Sequence, residues 1–470
     1  MPSGGWSESS GRWAVSNRGM PSVLIHTLGC KLNQLESEAF ADTFRQAGFA
    51  QYSPSTGDSP SVIIINTCTV TSKADQKARR VIRKALRDYP DSPVFVTGCY
   101  AQLNYAQIGG LEGDHKGRLF VLKGMEKESI LNLPRYLNEE ADLYSAVKKL
   151  GQANAPRRDL AFHFSPERFS SHTRGFLKIQ DGCDKHCTYC RIRLARGASV
   201  SLDAKQALAR LRILEKDHAE AVLTGVNICQ YRDEKSAPGL GRLLEYLLAG
   251  TEKISLRLSS LAPESIDEDF AKILSNKRIR PHFHLSIQSG SEKILAKMGR
   301  GYNAEIVEKA AVLLRSVKDD PFLACDIIAG FPGETEAEFV KTRELCKKID
   351  FAWIHVFPYS KRPGTPACSF TDTVHEKEIS KRTQILGNLA RQGKADYVRR
   401  WLGREVDVLV EKGISGKSCC RGISDNYLKL LVRYNGEKAP SPGAVLRCRL
   451  SEDQKIESSG KDYDAAADEA

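Results

Sequence analysis

A chain of 470 residues, 41% of them hydrophobic and 27% charged, is long enough for two or three domains that each bury a core, so no disulfide scaffold is required. The first twenty residues lack the apolar run of a secretory signal and no stretch reaches membrane-spanning length, which argues for a cytoplasmic protein and against an exported or membrane-embedded one. A formal net charge of +12 favours a polyanionic partner, nucleic acid first, and thirteen cysteines fit reduced thiols and metal or cluster ligands better than paired disulfides.

Residues 1–20, rich in Gly, Ser and Arg, read as a disordered tail. Residues 21–140 then repeat one pattern, a short β-branched apolar run followed by a helical stretch. The runs "SVLIHTLGC", "SVIIINTCT", "PVFVTGCY" and "RLFVLKG" are too apolar for a half-wet antiparallel sheet and suit parallel strands covered on both faces. The expected fold is a doubly wound parallel α/β domain. Cys30, Cys68 and Cys99 each fall at the carboxyl end of one of the first three strands, the edge where such sheets bind ligands. Three independently buried cysteines are the plainer alternative, since free Cys is among the most buried residue types. The helix after Cys68 carries Lys73, Lys77, Arg80, Lys84 and Arg87 at helical spacing beside an apolar stripe of Ala74, Ala78, Val81 and Ala85. That ridge is either a solvated face or a surface for phosphates.

Residues 141–168 are polar and Pro-containing and read as a linker centred on "QANAPRRDL". Residues 169–399 resume the alternation with six strands, "RGFLKIQDG", "AEAVLTGV", "KISLRLSS", "HFHLSIQSG", "FLACDIIAG" and "WIHVFPYS". Six successive βα units predict an open (β/α)6 partial barrel, short of the eight units that close one. Residues 400–454 change period: "EVDVLVEKG", "YLKLLVRY" and "AVLRCRL" separated by Gly, Asn and Pro turns predict a small β-barrel. Residues 401–450 hold nine Lys or Arg against five Asp or Glu, a balance of +4 that suits nucleic acid, with a pure packing module as the alternative. Residues 455–470 read as a disordered acidic tail.

The most specific feature is "IQDGCDKHCTYCRIRLARG", which places Cys183, Cys187 and Cys190 in one loop directly after a strand. A tetrahedral zinc ion wants a fourth Cys or His at similar spacing; His186 lies between, but no CxxC pair follows. A four-iron cluster held by three thiolates keeps one iron open to bind a reactant. This C-x3-C-x2-C spacing, with Tyr189 before the last cysteine, resembles the radical S-adenosylmethionine (SAM) enzymes. From Val23 to about Leu450 the chain is more narrowly similar to the methylthiotransferases of that superfamily. The segments "TLGCKLNQLESE", "NTCTVT", "TGCYAQ", "LKIQDGCDKHCTYC", "LTGVNICQY", "HLSIQSGSEKILAKMGRGY", "DIIAGFPGETEAEF" and "HVFPYSKRPGTPA" resemble its motifs in order.

The resemblance implies an N-terminal methylthiotransferase domain, a radical SAM core and a C-terminal TRAM-like domain. It implies two [4Fe-4S] clusters, an auxiliary one on Cys30, Cys68 and Cys99 and a radical one on Cys183, Cys187 and Cys190, together serving one cavity. By the same analogy Tyr189 and, at strand ends, Gly225, Ser259, Gln288 and Asp326 are candidates for lining the SAM pocket. One departure stands out: where the family commonly has an apolar pair and Pro, this chain has "RIRLARG", so Arg191 and Arg193 either grip phosphate or face solvent. Lys31, Leu32 and Asn33 bring the first motif closest to the branch acting on N6-threonylcarbamoyladenosine beside the tRNA anticodon. Alternatives are the isopentenyladenosine branch, the branch acting on a ribosomal protein aspartate, and a non-catalytic zinc and RNA binder. The implied reaction puts a methylthio group on carbon 2 of the adenine, an unactivated position that requires a radical, and draws on a tRNA anticodon arm, an electron donor and a sulfur donor.

Overall fold

The computed structural model of the chain describes residues 20–54, 58–111, 113, 117–140, 143–152, 161–166, 169, 172–414, 418–434, 439–451 and 463–469. It divides into two compact units, Met1–Ser171 with Leu194–Gly197, and His172–Arg193 with Ala198–Ala470. The expected N-terminal tail up to residue 19, residues 141–142, 153–160 and 167–168 of the linker, residues 452–454 before the acidic tail and residues 455–462 and 470 of that tail lie outside the described residues.

The first unit runs β1 (Ser22–Thr27), α1 (Lys31–Gln46), β2 (Ala50–Gln51), β3 (Val62–Thr67), α2 (Ser72–Asp88), β4 (Val94–Gly98), α3 (Cys99–Leu103), α4 (Tyr105–Gly109), β5 (Leu119–Val121), α5 (Leu133–Glu139) and α6 (Leu143–Gln152). All strand pairs are parallel, in the order β2-β1-β3-β4-β5. The apolar runs explain the layering. Along β3 every residue is buried, with Val62 and Ile64 facing Phe40, Phe44 and α5, while Ile63 and Ile65 face Ile82, Ala85 and Leu86 of α2. Alternate residues of one strand therefore feed two cores, which is the doubly wound arrangement expected.

Two expectations fail in this unit. Residues 143–152, assigned to the linker, form α6, and Ala146 and Leu150 join the core with α5. Their i, i+4 spacing makes an apolar stripe that the polar composition of the segment masks. Phe164, also placed in the linker, packs edge-on against Phe40 at 5.7 Å.

The second unit contains β6 (Gly175–Lys178), β7 (Gln180–Asp181), β8 (Val200–Ser201), α8 (Ala204–Asp217), β9 (Glu220–Thr224), α9 (Leu240–Ala249), β10 (Ser255–Leu258), α10 (Glu268–Leu274), β11 (His282–Gln288), α11 (Glu292–Lys297), α12 (Ala304–Val317), β12 (Phe322–Ala329), α13 (Glu336–Ile349), β13 (Trp353–Pro358) and α14 (Glu376–Trp401), with α7 (Ile192–Arg196) at the division. The six expected strands are β6 and β9 to β13, paired in parallel as two three-stranded sheets and bridged by Leu261 and Leu285. On β11, Phe283, Leu285 and Ile287 are fully buried while His284, Ser286 and Gln288 stay partly open, so one face packs under helices and the other lines the barrel lumen.

The N-terminal end of that lumen is plugged by charge. Arg257 grips Glu220 with Nε to Oε1 at 2.6 Å and Nη2 to Oε2 at 2.9 Å, and Arg280 Nε adds a bond to Oε2 at 3.1 Å. Burial raises the Glu220 pKa, but the two guanidinium groups outweigh it and hold the carboxyl at about 2. Tyr427 stacks on His282 with ring centroids 3.9 Å apart.

Tyr427 belongs to a closed barrel of β14 (Glu405–Gly413), β15 (Cys419–Ser424), β16 (Lys429–Arg433), β17 (Val445–Ser451) and β18 (Ala465–Glu469), in the order β14-β15-β16-β18-β17. Its interior, including Val408, Leu430 and Cys448, is continuous with Phe322, Tyr397 and Trp401. Two strands were not expected. Gly422 in β15 has no room for a side chain, because an added Cβ would meet Val408 Cγ1 at 2.4 Å. The other, β18, corrects the disordered assignment of 455–470: Ala465, Ala466 and Ala467 are buried between β16 and β17. Alanine has little intrinsic strand preference, so the open edges of the barrel decide this strand, not its own residues. Among the described residues no helix is long and apolar enough to cross a membrane.

Candidate active site

In the first unit three strand ends converge. Cys30 precedes α1, Cys68 follows β3, and Cys99 opens α3 directly after β4. Gly29 takes φ +103°, and a Cβ there would lie 2.5 Å from Cys68 Cβ; at Gly98, with φ +99°, it would lie 2.3 Å from the Thr67 carbonyl oxygen. Only glycine permits both the conformation and the approach. Asn33 ties the loops by donating from Nδ2 to the carbonyls of Leu28 at 2.7 Å and Thr67 at 3.0 Å. Beneath it, fully buried Glu36 pairs with Lys127 and with Arg196, the latter at 3.1 Å, and Arg196 also donates to Asn33 Oδ1 at 3.1 Å. Burial pushes the Cys68 thiol up to about 11, with Cys30 and Cys99 both near enough to push it further in the same direction.

In the second unit Cys183, Cys187 and Cys190 share the loop after β7, all three half-buried and none in a disulfide. Their loop is held by another: Thr188 N donates to the Met298 carbonyl at 2.9 Å and Thr188 Oγ1 to that of Lys297 at 2.9 Å. Gly299, at φ +73°, faces the His186 carbonyl, 3.1 Å from where its Cβ would be. Two N–H groups point at sulfur, Arg300 Nη1 to Cys187 Sγ and Ile192 N to Cys190 Sγ, each at 3.4 Å. Arg300 is itself fixed by Tyr302 Oη at 3.0 Å and the Ser286 carbonyl at 3.0 Å. Burial pushes the Cys190 thiol up to about 12, and the fields of Cys187 and Cys183 add to the rise.

Thiols raised this far are protonated at neutral pH and poor nucleophiles, whereas a coordinated metal strips a thiol of its proton outright. Three thiols gathered at a sheet's carboxyl edge, with N–H donors already aimed at sulfur in the barrel loop, suit a four-iron cluster in chemistry and number. Each ligand of such a cluster binds a different iron, so the three need not close on a point. Among the described residues no three His, Cys, Asp or Glu side chains form a single-ion site.

The remaining expected site residues are distributed unevenly. Tyr189 packs edge-on against Phe331 at 6.4 Å. Gly225 and Ser259 lie one residue beyond β9 and β10, and Gly225 leaves space for Gln180, whose carbonyl and Oε1 would both be 2.9 Å from a Cβ. Gln288 ends β11 at φ +67°, beside a register shift, a left-handed backbone that costs about 1–3 kcal/mol for a residue with a side chain. Asp326 departs from the expectation of a strand end, standing inside β12 with Ile327, Ile328 and Ala329 still to follow.

Arg300, Gly299 and Arg196 were not singled out from sequence, and Asn33 was read there only as a branch marker; the glycines flanking Arg300 in "MGRGY" hinted at a backbone-tight loop. The unusual arginines separate: Arg191 is buried, while Arg193 is exposed and donates to His186 Nδ1 at 2.8 Å. On α2 the five basic residues are all exposed, and Lys73, Lys77, Arg80 and Lys84 make no ion pair among the described residues. On the terminal barrel Arg447 pairs with Glu405 and Asp407, Arg449 with Glu405, and Arg433 with Asp468.

Residues 22–116 match the Uncharacterized protein family UPF0004 and residues 177–346 the Radical SAM superfamily. The chain is 38% identical to the Threonylcarbamoyladenosine tRNA methylthiotransferase MtaB of Treponema pallidum, over 93% of this chain and 100% of that protein. It is 33% identical to the protein of the same name from Bacillus subtilis, over 88% and 91%. It is 30% identical to the tRNA-2-methylthio-N(6)-dimethylallyladenosine synthase of Maricaulis maris, over 83% and 86%. Among solved structures it is similar to a radical S-adenosylmethionine methyltransferase, TsrM, from Kitasatospora setae, at 16% identity and a TM-score of 0.49 over 74% of this chain and 76% of that one.

Proposed function

The chain belongs to the threonylcarbamoyladenosine tRNA methylthiotransferases, radical SAM enzymes that act on tRNA, and on that premise we propose how its own residues divide the work. Cys183, Cys187 and Cys190 hold the cluster that binds SAM, and Cys30, Cys68 and Cys99 hold the auxiliary one. The observation that carries this assignment is the gathering of one cysteine set at the carboxyl edge of the first unit's parallel sheet and of the other within the single loop that follows β6 and β7. When bound, the clusters supply the electron that cleaves SAM to a 5′-deoxyadenosyl radical and the sulfur that becomes the methylthio group.

The protein's part is to bind, orient and exclude water. Arg300 and the Ile192 N–H hold charge against the barrel-loop sulfurs, and Tyr189 on Phe331 closes the apolar side of that loop. Gly225, Ser259 and Gln288 surround the SAM position at the sheet edge. The exposed basic face of α2 grips anticodon-arm phosphates, which fix register without reading sequence. The terminal barrel adds a second contact. The target base leaves its stack to reach the reacting centre, as bases do for enzymes that act on ring atoms. We assign the reaction to the cytoplasm, with an electron donor and a sulfur donor supplying it.

Mass spectrometry of tRNA nucleosides from cells with and without the gene tests the reading. The expected result is loss of 2-methylthio-N6-threonylcarbamoyladenosine with its unthiolated precursor accumulating. Loss of the isopentenyl counterpart instead would move the substrate to the other branch.

A further inference from the structure

Past the Glu220–Arg257–Arg280 plug, the lumen carries a polar group that neither cysteine site uses. His284 follows His282 by two residues on the same face of β11, and Asp326 and His355 are register partners on the adjacent parallel strands β12 and β13. His284 Nε2 lies 3.1 Å from Asp326 Oδ1, Ser260 Oγ is 2.7 Å from His284 Nδ1, and the two imidazole rings are 5.2 Å apart. The His284 Nε2 atom is buried and not aligned on any hydrogen-bond partner. Trp353 Nε1 donates to His355 Nδ1 at 3.2 Å. An indole N–H can only donate, so Nδ1 is the acceptor and the neutral His355 ring carries its proton on Nε2. The lumen wall thus presents a carboxylate acceptor and an N–H donor side by side.

We propose that Asp326 and His355 read the N6–H/N7 edge of the adenine that is methylthiolated, Asp326 accepting from N6–H and His355 Nε2 donating to N7. This rests on the functional reading above. Adenine offers a donor and an acceptor along that edge, whereas guanine offers two acceptors and would set O6 against the carboxylate. An N6-substituted adenine keeps one N6–H, which points to the N7 side when the substituent turns toward N1. Carbon 2 lies across the ring from N7, so this grip leaves the reacting position facing away from the wall. The chemistry of the edge is shared by the adenine of SAM, and the test must separate the two.

The test uses an anticodon stem-loop whose target adenosine carries its N6 substituent but has carbon in place of N7. The expected result is a fall in kcat/KM of about tenfold with the unaltered enzyme, the size of one hydrogen bond. His355→Ala acting on the normal stem-loop falls by a similar factor, and the two losses together do not add. Undiminished methylthiolation of the 7-deaza substrate overturns the proposal, as do additive losses. So does a raised KM for SAM when the His355→Ala enzyme forms 5′-deoxyadenosine without tRNA, because the edge would then belong to the adenine of SAM. No methylthiolated product from the unaltered enzyme on the normal stem-loop overturns the functional reading itself, and this proposal with it.

Discussion

Cys30, Cys68 and Cys99 come from three strand ends, one per βα unit, whereas Cys183, Cys187 and Cys190 share a single loop. The first set exists only when three parallel strands are in register and Gly29 and Gly98 let their ends touch. The second is fixed by its own spacing and by the 297–302 segment that holds it. A site assembled from distant segments inherits the stability of its whole unit, while a site in one loop inherits that of its nearest contacts.

Substituting one proposed ligand in each set breaks the comparison most sharply. Cys187→Ala is expected to abolish reductive cleavage of SAM, since the three-thiol set that would hold the SAM-binding cluster is broken. Cys68→Ala is expected to leave 5′-deoxyadenosine formation in place but to stop methylthiolation of tRNA. Chromatographic assay of both products, with iron and sulfide counted in each variant, checks this. Methylthiolated tRNA from the Cys68 variant would reverse the division of labour.

That contrast also decides what was legible in the sequence. The barrel-loop cysteines stood out by spacing alone, and the strand-end cysteines by three equivalent positions. The buried supports did not, because Glu36, Lys127 and Arg196 look like ordinary charged residues until the fold brings them together. The same holds for β18, whose alanines become a strand only because β16 and β17 leave edges to fill. The α6 helix was missed for the opposite reason, its apolar stripe being diluted by polar neighbours.

Removing a buried support should hurt the distributed site first. Glu36→Ala removes the buried carboxylate that Lys127 and Arg196 share, an expected cost of about 3–5 kcal/mol. Denaturant unfolding together with iron analysis checks this, the expectation being loss of the auxiliary cluster before the barrel cluster. Glu220 gives the counterpart in the second unit, and Glu220→Gln should lower its unfolding midpoint. Its carboxyl is depressed from 4.5 to about 2, so the stabilisation is complete above the unfolded value and is lost as pH falls from 4.5 toward 2. Thermal melts across that range should show the unaltered protein converging on the Gln variant. A constant gap between the two would mean the ion pair does not titrate as argued.

The smallest effects should come from the two basic surfaces, and they should differ. Lys77 and Lys84 stand exposed on α2 with no ion-pair partner among the described residues, so each phosphate they engage releases a counterion. Lys77→Ala with Lys84→Ala should weaken tRNA binding and flatten the log-affinity against log-salt slope by about 0.7–0.9 per contact removed. Arg447 already pairs with Glu405 at 3.1 Å and Asp407 at 2.9 Å, so much of its charge is answered within the barrel. These exposed pairs are worth about 0–1 kcal/mol, and Arg447→Ala should change the melting temperature little and the salt slope less than either α2 lysine. A salt slope that falls more for Arg447→Ala than for the α2 pair would show that tRNA takes Arg447 from its acidic partners on binding, making the terminal barrel the stronger phosphate contact.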